Sequence, residues 1–290
     1  IVPPSHGDST GRRLALAKWI VDPGNPRTSR VLANRLWQHH FGRGIVATPD
    51  EFGKLGLPPT HPELLDWLAA AVVERDWRLK DMHRLIMTSA TYRMDSRASD
   101  DARRVDPINE LFSRFDMRRL TAEEVRDSIL MVNGSINTAI GGEPVYPPLP
   151  EEVLATASRP GAAWGNSSPE EAARRSLYVH VKRSLKMPLL EMFDMADTDT
   201  ACPVRFNTTV PTQALTMLNS DLLNNQAMVL AERLQAESGD DPEAMIRRGL
   251  ELATQRPAHP DDVASCLAML SDLESGGLSR ENAMRYVCLG

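Results

Sequence analysis

Apolar side chains recur at helical spacing along most of this chain. Leu14, Ala17, Trp19, Ile20 and Val21 mark a first short helix, broken by Pro23-Gly24-Asn25-Pro26. Val31, Asn34, Arg35, Trp37, Gln38 and Phe41 mark a second, with Thr28 or Ser29 as its cap and Gly42 as its end. Thr60-His61-Pro62-Glu63 has the form of a capping box, with threonine at the cap and glutamate three residues on. The helix it opens runs through Leu64, Leu65, Trp67, Leu68 and Val72, and Leu79–Ser89 gives another, with Met82, Leu85 and Ile86 on one face. Thr121-Ala122-Glu123-Glu124 is a second box, opening a helix that stops near Asn133-Gly134. Further on, Pro211–Glu237 reads as one or two helices with a break around Asn219-Ser220. Pro242–Thr254, Pro260–Leu273 and the stretch from Ser279 onward complete an acidic helical tail.

The pattern fails between Gly141 and Pro169. Gly141-Gly142, Pro147-Pro148, Pro160-Gly161 and Ser167-Ser168-Pro169 predict a long loop, with Trp164 docking it. Leu177–Val181 is the best strand candidate. The expected fold is therefore mainly α: multi-helical, two packed helical lobes with at most a small β-ribbon near Tyr178. The expected boundaries are 1–140 for the first lobe, 141–173 for the loop and 174–290 for the second lobe, with a groove between the lobes as the natural place for a pocket.

Composition agrees. Aromatic residues make up 5% of the chain and β-branched runs are rare, which favours helix. Residues 1–135 carry 20 basic and 18 acidic groups, and residues 136–290 carry 13 and 21, so neither half has the cationic excess that binds a phosphate backbone. Nucleic acid is not an expected partner. The base is mostly arginine, 28 against 5 lysines. Arginine suits oxyanions and ion pairs, and a GC-rich genome would give the same bias. Cys202, Cys266 and Cys288 form no CxxC or CxxCH, so this chain itself is expected to hold neither zinc nor attached haem; one disulfide stays open. No apolar run approaches the roughly 20 residues of a membrane span. Ile1-Val2-Pro3-Pro4 in place of an initiating methionine, and a finish inside an apolar pattern at Tyr286–Gly290, read as cut ends.

Candidate chemistry is sparse. There is no GxSxG, P-loop, GxGxxG after a strand, or HExxH. Arg35, Arg43, Asp50, Glu51 and Asp66 fit either a buried ionic network or an anion-binding cleft. His40 and Asp50 are the acid/base candidates, while His39 and His40, adjacent on a helix, point too far apart to share a metal. Arg35, Arg43, His61, Arg183 and Arg205 are the ligand-binding candidates. In an extended Leu177–Val181, Arg175 and Arg183 share one face and Tyr178, His180 and Lys182 the other, which fits a pocket wall or a charge-protected edge. Cys202 beside Arg205 could serve as a nucleophile, although Asp194, Asp197 and Asp199 oppose a thiolate; those aspartates also alternate as calcium ligands would. Trp37 and Trp67 read as core.

Several of these blocks together resemble the domain-of-unknown-function family 1553. They are Arg30–Gly44, Asp50-Glu51-Phe52-Gly53, His61–Ala69, Ser89-Ala90-Thr91-Tyr92-Arg93, Arg119–Ser128, Arg175–Val179, Cys202 with Arg205, and Pro211–Asn219. The resemblance implies the C-terminal part of a larger planctomycete-type, cytochrome c-associated protein, in the periplasm or at the cell surface. It also implies upstream domains of the same polypeptide as partners, one of them haem-binding, and it brings no catalytic residues. Three functions follow as expectations: a non-catalytic module binding a partner or a glycan, an enzyme acting on an anionic or carbohydrate substrate, and a purely architectural domain.

Overall fold

The computed structural model describes residues 10–157 and 164–290; Ile1–Pro4 and the Pro160-Gly161 pair lie outside the described residues. Fourteen α-helices and one 3-10 turn are formed among the described residues, and no strand. The chain is mainly α, as its periodicity predicts. It divides into two compact units, one ending at Arg118 and one spanning Arg119–Gly290.

The first unit holds α1 (Arg12–Ile20), α2 (Pro26–Phe41), α3 (Pro62–Glu74), α4 (Leu79–Met87) and α5 (Asp100–Val105). Asn25, and neither Thr28 nor Ser29, caps α2: its side chain accepts from the Arg27 N–H at 3.2 Å, and Pro26 supplies the first turn with its φ already set. The Thr60 box does not close either. His61 is the cap of α3, and the Thr60 hydroxyl donates to the Ile45 carbonyl instead. α2 lies against α3 and α4 around Ala33, Leu36, Trp37, Leu68, Val72 and Met82. Trp37 stacks on Phe41 with centroids 4.2 Å apart and meets Phe112 edge-on at 5.2 Å, geometries that suit the ring quadrupoles. Trp67 departs from its expected core position. It is 55% exposed, on the outer face of α3.

The second unit begins with α6 (Ala122–Val132), whose capping box closes as predicted: Thr121 accepts from the Glu124 N–H and Glu124 accepts from the Thr121 N–H. Short helices α7 (Glu151–Ala155), α8 (Pro169–Ala172) and α9 (Pro188–Met192) follow, then α10 (Pro211–Asn219), α11 (Asp221–Ser238), α12 (Pro242–Thr254), α13 (Pro260–Ser275) and α14 (Arg280–Leu289). The break at Asn219-Ser220 is real. The stretch read as a loop contains α7, and Trp164 docks it by donating from Nε1 to the Pro147 carbonyl at 2.9 Å. The strand candidate is corrected: Ser176–Tyr178 is a 3-10 turn, followed by a single bridge from Val179 to Val145. Its two imagined faces therefore do not exist.

Two apolar clusters organise this unit. Leu149, Leu185, Leu190, Phe193 and Leu223 form one; Leu234, Met245, Ile246, Val263, Leu270 and Met284 form the other. α11 runs through both, with Leu223 in the first and Ala231 and Leu234 in the second. Gly249 allows the close approach of α12 here, since a Cβ there would stand 3.1 Å from Leu234.

Candidate functional site

In the first unit α2 presents Arg35 and His40, and Arg43 follows once the helix has ended at Gly42. Arg35 donates to Asp50 at 2.9 Å, both side chains more than two-fifths exposed. Arg30 pairs with Asp66 at 2.6 Å. Arg43 donates to the Asn109 carbonyl at 2.6 Å and lies 5.6 Å over the Phe112 ring, with no carboxylate paired to it among the described residues. Glu51 is exposed. The five charged candidates thus separate into pairs and a carbonyl contact, neither one buried network nor one cleft. His61 sits at the start of α3, its Nδ1 at 3.0 Å from the Thr60 hydroxyl and its ring 5.9 Å from Phe112.

His40 has a partner that periodicity could not reveal. Its Nε2 lies 2.9 Å from His83 Nδ1 on α4, and its ring meets the edge of Tyr92 at 5.5 Å. One nitrogen of the pair must donate and the other accept, so the contact survives with either ring neutral but not with both protonated. Burial, and then the fields of His83 and His39, hold the His40 pKa below its ordinary 6.5. The sign follows. Between the lowered value and 6.5 the unfolded chain binds the proton and the folded chain does not, so stability rises with pH there. The contribution is full above about pH 6.5 and falls away as the solution is acidified below it. Urea titrations stepped from pH 7.5 to pH 5 should show a shallower decline for His40→Asn than for the native chain; equal slopes would remove His40 from the account.

In the second unit Arg183 pairs with Asp199, and Arg205 donates to Glu123 at 2.7 Å. The hydrogen bond it donates to Glu123 holds the Arg205 pKa up. Each aspartate of the run is engaged by the protein itself. Asp194 accepts from the Thr208 N–H, the Thr208 hydroxyl and Arg119, Asp197 accepts from the Asp199 N–H, and Asp199 meets Arg183. The Thr208 N–H is the main reason that the Asp194 pKa lies low. Cys202 is exposed and its thiol faces the Val204 carbonyl at 3.4 Å. Among the described residues no three His, Cys, Asp or Glu side chains gather where a metal would sit.

A cleft beside Glu123, lined by Ser176, His180, Lys182, Lys186 and Leu190, encloses about 30 Å³. That is room for a water or two, far from the roughly 300 Å³ a small-molecule site needs. A depression of about 350 Å³ has the volume but not the shape. It follows the outer face of α12 alone, and its arginines are engaged, Arg247 by Glu243 and Arg248 by Glu237.

The sequence profile described as protein of unknown function (DUF1553) matches residues 12–270. The chain belongs to the DUF1553 family. No curated protein and no solved structure matches it. The blocks that carry the DUF1553 resemblance turn out to hold one another. Arg30 reaches Asp66, Arg35 reaches Asp50, His40 meets Tyr92, Asp127 accepts from the Ser176 N–H at 2.7 Å, and Arg205 reaches Glu123. Three polar hubs escaped the sequence reading. Arg126, 4% exposed, donates to the carbonyls of Ala172 and Arg174 and to the Ser176 hydroxyl. Arg119 gathers Asp194, the Phe193 carbonyl and the Thr208 carbonyl. Gln213 donates to the carbonyls of Met192 and Thr208. Most of their acceptors are main-chain oxygens, which leave no mark on residue type. The only available signal was that Arg119, Arg126 and Gln213 lie inside the family blocks.

Proposed function

We propose that this chain is a non-catalytic binding module of a larger exported, cytochrome-associated polypeptide, and that it docks a neighbouring domain of that polypeptide. The observation that carries this reading lies on the segment leading into α10 and on α10 itself. Phe206 is 84% exposed, Leu215 57%, Leu218 48%, Val204 45% and Val210 41%. Only Gln213 of α10 is buried. Large apolar side chains clustered along one short segment mark a surface awaiting a cover. The polar candidates support the same reading, because Arg35, Arg183 and Arg205 each hold a carboxylate, Arg43 holds a carbonyl, and His40 and Asp50 have separate partners. An acid and a base without a common substrate position make a poor catalyst. Export and a haem-bearing neighbour rest on the family resemblance.

Isothermal titration of the neighbouring domains of the parent polypeptide into the native chain should give a heat of binding. Covering Phe206 contributes about 2 kcal/mol, so Phe206→Ser should weaken the association by about 30-fold with the helical circular dichroism unchanged. Absence of any association at high micromolar concentration would remove the docking role. A glycan-binding reading keeps one specific support, the exposed ring of Trp67 beside the Arg30–Asp66 pair, a platform on which a sugar face could stack. Sulfated and carboxylated oligosaccharides at millimolar concentration decide it: no heat with any of them eliminates the glycan.

A further inference from the structure

We propose that Cys266 and Cys288 form an intramolecular disulfide that locks α13 to α14. The two helices are joined by the short turn from Gly276 to Ser279, which makes them antiparallel neighbours packed on each other. Cys266 and Cys288 stand almost equally far from that turn, so the hairpin brings them level. The methyl group of Met269 reaches the chain at Gly290, so this part of α13 lies against the end of α14. Both cysteines pack against the same apolar cluster, which includes Leu270, Ala283 and Met284, so both face the inside of the hairpin. Cys202 is exposed elsewhere in the unit and shares none of these contacts.

The surroundings set how the pair would react. Burial and the nearby Cys266 push the Cys288 thiol up to about 12, and burial raises Cys266 as well. Neither thiol is a ready thiolate at neutral pH, so the pair resists casual oxidation. Once formed, the bond resists reduction, because high-pKa thiolates are poor leaving groups. Such a bond is a structural staple and not a catalytic dithiol.

The oxidant is a small-molecule disulfide. The Cys266 thiolate attacks one of its sulfurs, forming a mixed disulfide and releasing one thiol. The Cys288 thiolate then attacks the Cys266 sulfur, forming the Cys266–Cys288 bond and expelling the second thiol. Two electrons pass from the protein to the added disulfide, and the two cysteine protons end on the two released thiols.

The test uses the native chain with oxidised glutathione at pH 8.5, and in parallel the chain refolded from urea in a glutathione redox buffer, where access to the thiols is not limiting. After alkylation, trypsin cuts following Arg280 and Arg285, so the bridge would join two separate peptides visible by mass spectrometry. The expected product joins Cys266 to Cys288 and leaves Cys202 alkylated or capped by glutathione. It melts several degrees above the reduced chain, a gap that closes in Cys288→Ala. Alkylation of both thiols in both arms, or a bond from either to Cys202, overturns the proposal.

Discussion

Replacing Arg126 by methionine should destabilise the second unit by about 3–5 kcal/mol, the largest effect expected of any single substitution in this chain. The reason is the set of acceptors it would abandon. Nη2 donates to the Ala172 carbonyl at 2.5 Å, while Nη1 donates to the Arg174 carbonyl at 2.9 Å and the Ser176 hydroxyl at 3.2 Å. Burial opposes its charge and lowers its pKa, with Asp127, 3.7 Å away, acting in the other direction. Each acceptor stranded without water costs about 1–3 kcal/mol, and the costs do not add fully. Arg126→Lys should recover less than half, because an ammonium is a point donor and cannot span two groups as a guanidinium fork does. Urea unfolding followed by circular dichroism measures both. A cost under about 1 kcal/mol for the methionine variant would show that the hub contributes little net stability.

Asn34→Leu should have the next largest effect, about 2–4 kcal/mol, for a related reason in the first unit. Asn34 is completely buried. Its amide oxygen accepts from the Val46 N–H at 2.8 Å and its amide nitrogen donates to the Val46 carbonyl at 3.0 Å, so one side chain satisfies both main-chain groups of one loop residue. Leucine matches the volume and supplies neither bond. The loop is packed tightly around this clasp: a Cβ on Gly44 would fall 2.6 Å from the Val46 carbonyl and 2.7 Å from the Asn34 amide, so no other residue fits there undisturbed. Amide hydrogen exchange at Val46 reads the clasp directly. Its protection should collapse in Asn34→Leu while that of α11 is retained; unchanged protection at Val46 would refute the clasp.

These two residues mark the limit of what periodicity could reveal. Local signals came through where the physics was local. The Thr121 box closes because its partner lies three residues away, and the proline starts at Pro211, Pro242 and Pro260 fall where helices begin. Thr60 looked equally good and failed, because the Ile45 carbonyl competed for its hydroxyl from outside the segment. Leu177–Val181 had strand composition but no neighbouring strand, and composition without a partner yields only one bridge. At the candidate site, Arg35, Arg183 and Arg205 were legible as charge carriers, but the carboxylate each would choose was not. His40 meeting His83 is a contact across 43 residues, visible only after α2 and α4 have packed. Trp67 misled because a large ring at a helical position reads as interior whichever way it points.

The 18-residue helix α11 contributes buried residues to both apolar clusters of the second unit. It works like an axle shared by two wheels. Fraying at either end loosens a grip that the other end needs, so Arg119–Gly290 should melt as one body although it is built on two centres. A lesion in the tail around α13 would then be felt as far away as Phe193, on a residue it never touches.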